Sequence, residues 1–301
     1  NISNLLRQIA PTLLTGIGQS FVLITGNIDL SIGSVVGMSC MISATLMTKG
    51  INPWVAVIIT YLASSIMGLL NGKLISKAKL PAFIATLGTM TIARGIAQIV
   101  NNNYNTDSIG EAAEGFMQFF YYGKTLGLFN TIWITMFIWL VFNFLLSRTR
   151  TGRHLYAVGS NIHAAHLSGV NISSTITKAY LVSAFCSTTV GLIITATSGM
   201  GTMDAGNSYE LYAVAASVIG GVSTLGGQGI LLGTVIGASI WGVLQNGLQF
   251  AGAPVAIRNI VIGVIVIITV LLDIVVRLNK KVGKAKAGAE RSYFPVLKHK
   301  I

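Results

Sequence analysis

A polytopic, all-α membrane protein is what this sequence predicts, on three observations. Only 9% of its 301 residues are charged and 52% are hydrophobic, whereas soluble domains carry about 25% charged residues. The apolar residues come in uninterrupted runs of roughly the 20 residues that a helix needs to cross hydrocarbon; barrel strands would give short alternating segments. The basic residues gather in a few places between those runs.

Charges fence the elements one by one. Run 8–28 ends at Asp29, run 30–48 at Lys49 and run 50–72 at Lys73. Run 80–93 extends past Arg94 to Val100 if the arginine snorkels to the nearer surface. Run 125–147, between Lys124 and Arg148, gives a fifth span, and 179–203 a sixth. The 47 residues from Leu211 to Ile257 are too long for one helix, and GGVSTLGGQG at 220–229 breaks them in two. A last run, 259–272, widens to 254–276. Nine spans follow, near 8–28, 30–48, 50–72, 80–100, 126–147, 176–201, 211–222, 229–250 and 254–276. The chain opens at Asn1 directly before a span, so a preceding helix is expected to be missing. Residues 1–276 then form a transmembrane domain and 277–301 a basic tail.

Alternating the spans places 73–79, 148–178 and 277–301 on one side, with 15 of the 20 Lys and Arg. The positive-inside rule makes that side cytoplasmic, with the C-terminus there. The net charge of +12 is a topology signal and an attraction to anionic lipid headgroups, and calls for no nucleic acid. The other side keeps Arg7, Lys49, Arg94, Lys124 and Arg258, with acids at Asp107, Glu111, Glu114, Asp204 and Glu210.

Small residues recur for close helix contact at Gly33 and Gly37 and at Gly229, Gly233 and Gly237. Cys40 and Cys186 fall mid-span and read as packing residues. Gly123-Lys124-Thr125 is no phosphate loop, because Gln118 stands where its first glycine is required. The 220–229 turn is no dinucleotide fingerprint, because Leu232 occupies a glycine position. His163 and His166 lack further ligands, so no metal is expected. With no nucleotide site and no catalytic set, the chain reads as a conduit rather than an enzyme. Asp273 stands four residues before Arg277, and the spacing predicts a helical pair. Asp29, with Asn27 and Ser31 beside it, marks a helix break, either capping the next helix or lining a pathway as well. Asn71, Thr86 and Thr89 fit a pathway or helix–helix hydrogen bonds equally.

Several long motifs then bring a resemblance. GNIDLSIGS (26–34), LLNGKLISKAKLPAFIATLGTMTIARG (69–95), TGRHLYAVGSNIHAAHLSGVN (151–171), YELYAVAASVIGGVSTLGGQGILLGTVIGA (209–238) and NGLQFAG (246–252) occur in order. From Ile17 to Arg277 the chain resembles the permease subunits of bacterial ABC importers for ribose, galactose, xylose and related sugars. It departs from that pattern at Ile162 and His163, where acids are usual, at His166 for Arg, and at Tyr212 for Asp.

The resemblance implies a ten-helix permease of the vitamin-B12-importer type in the bacterial inner membrane. It implies that 148–171 docks into a cytoplasmic ABC ATPase, which binds ATP-Mg while this chain binds no cofactor. The coupling residues would be Gly152, Arg153, Tyr156, Gly159, Asn161, Ala164, Ala165, His166, Ser168 and Gly169, with Gly152, Gly159 and Gly169 permitting turns. Asp29, Ser31, Asn71, Thr86, Thr89, Glu210 and Asn246 are candidate pathway residues. The expected partners are a second permease copy or paralogue, an extracytoplasmic sugar-binding protein meeting 101–124 and 204–210, and a small sugar. A branched-chain amino-acid permease and a self-sufficient secondary transporter are the alternatives.

Overall fold

The computed structural model describes residues 2–292, and side chains as far as Val275 apart from Asn259. The described chain is mostly helix. In order it forms α1 (Ile2–Ile24), α2 (Ile32–Thr48), α3 (Pro53–Ser76), α4 (Ala82–Ile99), α5 (Glu114–Met117), α6 (Asn130–Arg148), α7 (Arg150–Ser160), α8 (Ile162–Leu167), α9 (Ile172–Ser198), α10 (Tyr209–Ile219), α11 (Leu231–Phe250) and α12 (Val255–Ser292).

Six of the nine expected spans are helices long and apolar enough to cross a bilayer: α3, α4, α6, α9, α11 and Val255–Val275 of α12. The shorter apolar helices α2 and α10 and the longer α1 stand at the other three positions. Several boundaries move. The first helix stops at Ile24 rather than 28, because Gly26 turns at φ +77° and the Thr25 hydroxyl donates to the Val22 carbonyl. The fifth begins at Asn130 rather than 126, because 124–129 is a hairpin, β1 (Lys124–Thr125) against β2 (Leu128–Phe129). Its two-residue loop, Leu126 and Gly127, has positive φ at both positions, the geometry that matches strand twist. The last helix runs through Ser292, past the expected tail boundary at 277; residues 293–301 lie outside the described part.

Position in the bundle follows from how apolarity is used. The most apolar window of α9 is 78% buried, so it is central; that of α12 is 6% buried. On α3, Ile58, Leu62 and Ile66 stand four apart and all are more than half exposed, a column suited to lipid and not to water. Inside, where lipid gives helices no hydrophobic reason to associate, small hydroxyls tie them together. Ser20 of α1 bonds Ser217 of α10 at 3.1 Å and Thr234 of α11 at 2.8 Å, Ser39 of α2 bonds Ser64 of α3 at 2.8 Å, and Ser43 of α2 bonds Thr195 of α9 at 3.0 Å. On α11 a Cβ at Gly233 would strike the Gly220 carbonyl, and one at Gly237 the Ala216 carbonyl. Cys40 and Cys186 are buried free thiols.

Two irregular stretches sit inside this bundle. Residues 25–31 separate α1 from α2. Residues 199–208 follow α9 and run back along α2: Gly201 lies against Ala44 and Met41, Ala205 against Gly37, and Gly206 against Gly33. The Gly33 and Gly37 face therefore receives the folded-back backbone of 199–208 together with the side chains of Glu210 and Arg94.

Candidate functional site

Segment 148–171 is more ordered than a loop. Helix α6 ends at Arg148, Thr149 turns extended, and its hydroxyl accepts from the Gly152 amide at 3.4 Å to start α7. One face of α7 is buried through Leu155 and Val158, and the Tyr156 hydroxyl donates to the Gly229 carbonyl at 2.6 Å. Gly152 and Gly159, expected to turn the chain, are helical instead. A Cβ at Gly152 would fall on the Leu146 carbonyl, and one at Gly159 on the Ile24 carbonyl beside the Gly227 amide. Their work is close approach, and only Gly169, at φ +78°, turns.

Asn161 caps α8, its side chain accepting from the Ala164 amide at 3.0 Å. Ala165 is buried, whereas Arg153, Ile162, His163, Ala164, His166, Leu167 and Ser168 face outward, Leu167 at 88% exposure. The result is an exposed tip with apolar Ile162 and Leu167 beside polar His163, His166 and Ser168, joined to a helix packed closely on Leu146 and Ile24.

Beneath α7 lies a hub of three backbones. The Gly227 amide donates to the Ile24 carbonyl at 2.8 Å, and Gly226 packs on Gly26 and the Gly159 carbonyl. Turn 220–230 is tied in turn to α12, since the Thr224 amide and hydroxyl both donate to the Asp273 carboxylate, at 3.1 and 3.0 Å. The expected partner of Asp273, Arg277, has a side chain outside the described part.

Four of the seven candidate pathway residues meet in one buried cluster just past Gly26. Asp29 accepts from the Ser31 amide at 2.9 Å and hydroxyl at 2.6 Å through Oδ1, and from the Ser183 hydroxyl at 2.7 Å through Oδ2. Asn71 donates to the Ser31 hydroxyl at 3.0 Å and accepts from Thr89 at 2.6 Å. The cluster thus joins α2, α3, α4 and α9 through groups all 3% exposed or less. Asp29 bonds the amide of Ser31, the residue before α2, and no side chain caps the first-turn amides of that helix; the cluster links helices. Thr86 is buried and bonds back to Ala82 of its own helix at 2.8 Å. Glu210 and Asn246 stand elsewhere: Glu210 against Gly33, and Asn246 donating to the Gln8 carboxamide oxygen at 2.6 Å.

Arg94 does not snorkel to a surface. Its guanidinium is half-buried and donates to the carbonyls of Met203 at 2.7 Å and Ala205 at 3.0 Å, close enough to Glu210 and Asp204 for electrostatic attraction. Non-helical backbone within a membrane bundle needs such partners, and this arginine supplies them to 199–208. The sequence offered one sign of it, a lone cation in an apolar run with no acid a helical turn away. Tyr180, which donates to the Ile28 carbonyl at 2.9 Å, and Ser183 gave no sign at all among the many hydroxyls of α9.

Residues 1–270 match the family described as branched-chain amino acid transport system / permease component. The chain is 36% identical over 276 residues to the ribose import permease protein of Bacillus subtilis (strain 168), covering 91% of this chain and 84% of that one. It is 33% identical over 281 residues to the ribose import permease protein of Escherichia coli (strain K12), covering 93% and 86%. It is 32% identical over 300 residues to the galactose/methyl galactoside import permease protein of the same strain, covering 93% and 88%. No solved structure matches the chain.

Proposed function

The chain belongs to this family of transport-system permease components, and from that premise we propose that it is the membrane subunit of an ATP-driven importer of a small sugar. It is a permease and not an enzyme; ATP-Mg is bound and hydrolysed by a separate cytoplasmic ABC ATPase. The chain works beside a second permease copy or paralogue, in a ten-helix fold of the vitamin-B12-importer type, and takes sugar from an extracytoplasmic binding protein. Residues 1–276 form the pore domain, and the basic residues after it favour the cytoplasmic leaflet.

One observation carries the reading: the exposed tip of α8 is mounted on a helix wedged against the ends of α1 and of turn 220–230. A push on Ile162, Leu167 and the flanking His163 and His166 crosses the extended link at Asn161 to α7, where Gly159 lies directly against the Ile24 carbonyl. Five residues beyond Ile24 stands Asp29, the knot of four helices. ATP-driven closure of the ATPase pair thereby tilts the helices as a body, and its binding energy favours one state over the other, as any shift of equilibrium demands.

The test is import into proteoliposomes with ATPase, binding protein and ATP. Ile162→Asp with Leu167→Asp lies on exposed surface and leaves the fold intact. It should reduce ATP-driven import about 10- to 100-fold, the loss of ~1.4 to 2.7 kcal/mol of docking. Unchanged import by this variant, or import by the wild type with no ATPase, contradicts the proposal. The family description names branched-chain amino acids, so leucine is the competing cargo; competition of leucine against D-ribose for uptake decides between them.

A further inference from the structure

At the other end of α1 and α11 from the tip lies a groove of about 600 Å³ between the two helices. Asn4 and Gln8 line it from α1, Asn246 and Gln249 from α11, with Leu5 and Phe250 among the apolar residues. Four carboxamides in one groove stand out in a chain this apolar. None of the described residues lining it is charged. The nearest cation on α1, Arg7, has its guanidinium over the rings of Tyr121 at 4.3 Å and Phe129 at 3.9 Å and donates from Nη2 to Asn4 Oδ1 at 3.4 Å.

We propose that this groove is a low-affinity sugar site on the face opposite the α8 tip, taking a neutral polyhydroxyl ligand. The proposal rests on the transport reading above and adds where in the chain the sugar is first held. A carboxamide offers two donors and one acceptor oxygen, so it can serve a hydroxyl in either sense. The 2.6 Å bond from Asn246 Nδ2 to Gln8 Oε1 fixes the two amides against each other, leaving Gln8 Nε2 as donor and Asn246 Oδ1 as acceptor. That is the alternation which two neighbouring hydroxyls on a sugar ring require. Phe250, 88% exposed, gives the apolar C–H face of the ring a surface to lie on. An anionic ligand finds no charged side chain in the lining, the adjoining Arg7 being engaged by Asn4 and two aromatic rings, and an acyl chain would leave the amides unpaired. The groove is wide and open for a monosaccharide, which suits a weak site that hands its cargo onward.

The probe is D-ribose at millimolar concentration with the wild-type permease in nanodiscs, without binding protein, read by saturation-transfer NMR. Wild type should show transfer above that of empty nanodiscs. Gln8→Leu with Asn246→Leu should weaken the apparent affinity about tenfold, the worth of one or two hydrogen bonds. Phe250→Ser, on an exposed side chain that holds nothing in the core, gives the same direction by an independent route. Wild type with no transfer above empty nanodiscs, or both variants with unchanged affinity, overturns the site. ATP-driven uptake by the wild type in parallel separates the failures: uptake without transfer at the groove removes this site alone, and no uptake of any sugar removes the transport reading.

Discussion

Asp29→Ala is expected to destabilise the protein by several kcal/mol, at about 1 to 3 kcal/mol for each buried donor left without an acceptor. Alanine leaves three donors without an acceptor: the Ser31 amide, the Ser31 hydroxyl and the Ser183 hydroxyl. Ser31 then loses its orientation toward Asn71, and Asn71 its orientation toward Thr89, so the loss spreads from α2 to α3 and α4. Asp29→Asn should behave differently. Its remaining oxygen still accepts both Ser31 bonds, and its NH₂ can donate to Ser183. We expect it within about 1.5 kcal/mol of wild type, the net worth of one ordinary hydrogen bond. Denaturant titration in detergent, followed by tryptophan fluorescence, reads both. Equal tolerance of Ala and Asn would show that the cluster does not hold these helices.

Arg94→Leu is the second large effect. It keeps the apolar stem and removes both donors from the carbonyls of Met203 and Ala205, at about 1 to 3 kcal/mol for each acceptor left without a partner. Stretch 199–208 should then loosen from α2, because the contacts at Gly33 and Gly37 are backbone approaches with little side-chain surface to hold them. Arg94→Lys, a point donor on a shorter stem, should fall between the two. Hydrogen exchange of 199–208 is the measurement: protection should fall in Arg94→Leu while that of α9 is kept. Protection unchanged in 199–208 would mean that the glycine face alone seats it.

How far the sequence reached can be judged residue by residue. Charge fences located the helices because a bilayer penalises charge along a whole span, a signal that needs no partner. The break at 220–229 was legible for a related reason: glycines that take positive φ act within a few residues, whereas the turn at Gly26 ended the first helix earlier than the charge at Asp29 suggested. The 124–129 hairpin was missed because two-residue strands carry almost no pattern, and Leu126 is an improbable residue at positive φ.

Gly152 and Gly159 were legible as special and misread in kind. Whether a glycine turns or admits a neighbour depends on what lies across from it, and Ile24 and Gly227 are more than sixty residues away in sequence from Gly159. The Asp29 cluster was half legible: Asp29, Ser31, Asn71 and Thr89 stood out as polar groups in apolar spans, but Ser183 and their common meeting point did not. Ser31 and Asn71 are 40 residues apart, and Asp29 and Ser183 are 154 apart.

The amino-acid sequence by itself determined the membrane as solvent and the places of the helices, because both rest on local hydropathy and charge. Only the tertiary structure decided which polar groups satisfy one another: Arg94 with the carbonyls of 203 and 205, Asp29 with Ser183, Asn246 with Gln8. In an apolar interior a buried donor without an acceptor is costly, and these pairings are fixed by how helices distant in sequence come to lie side by side.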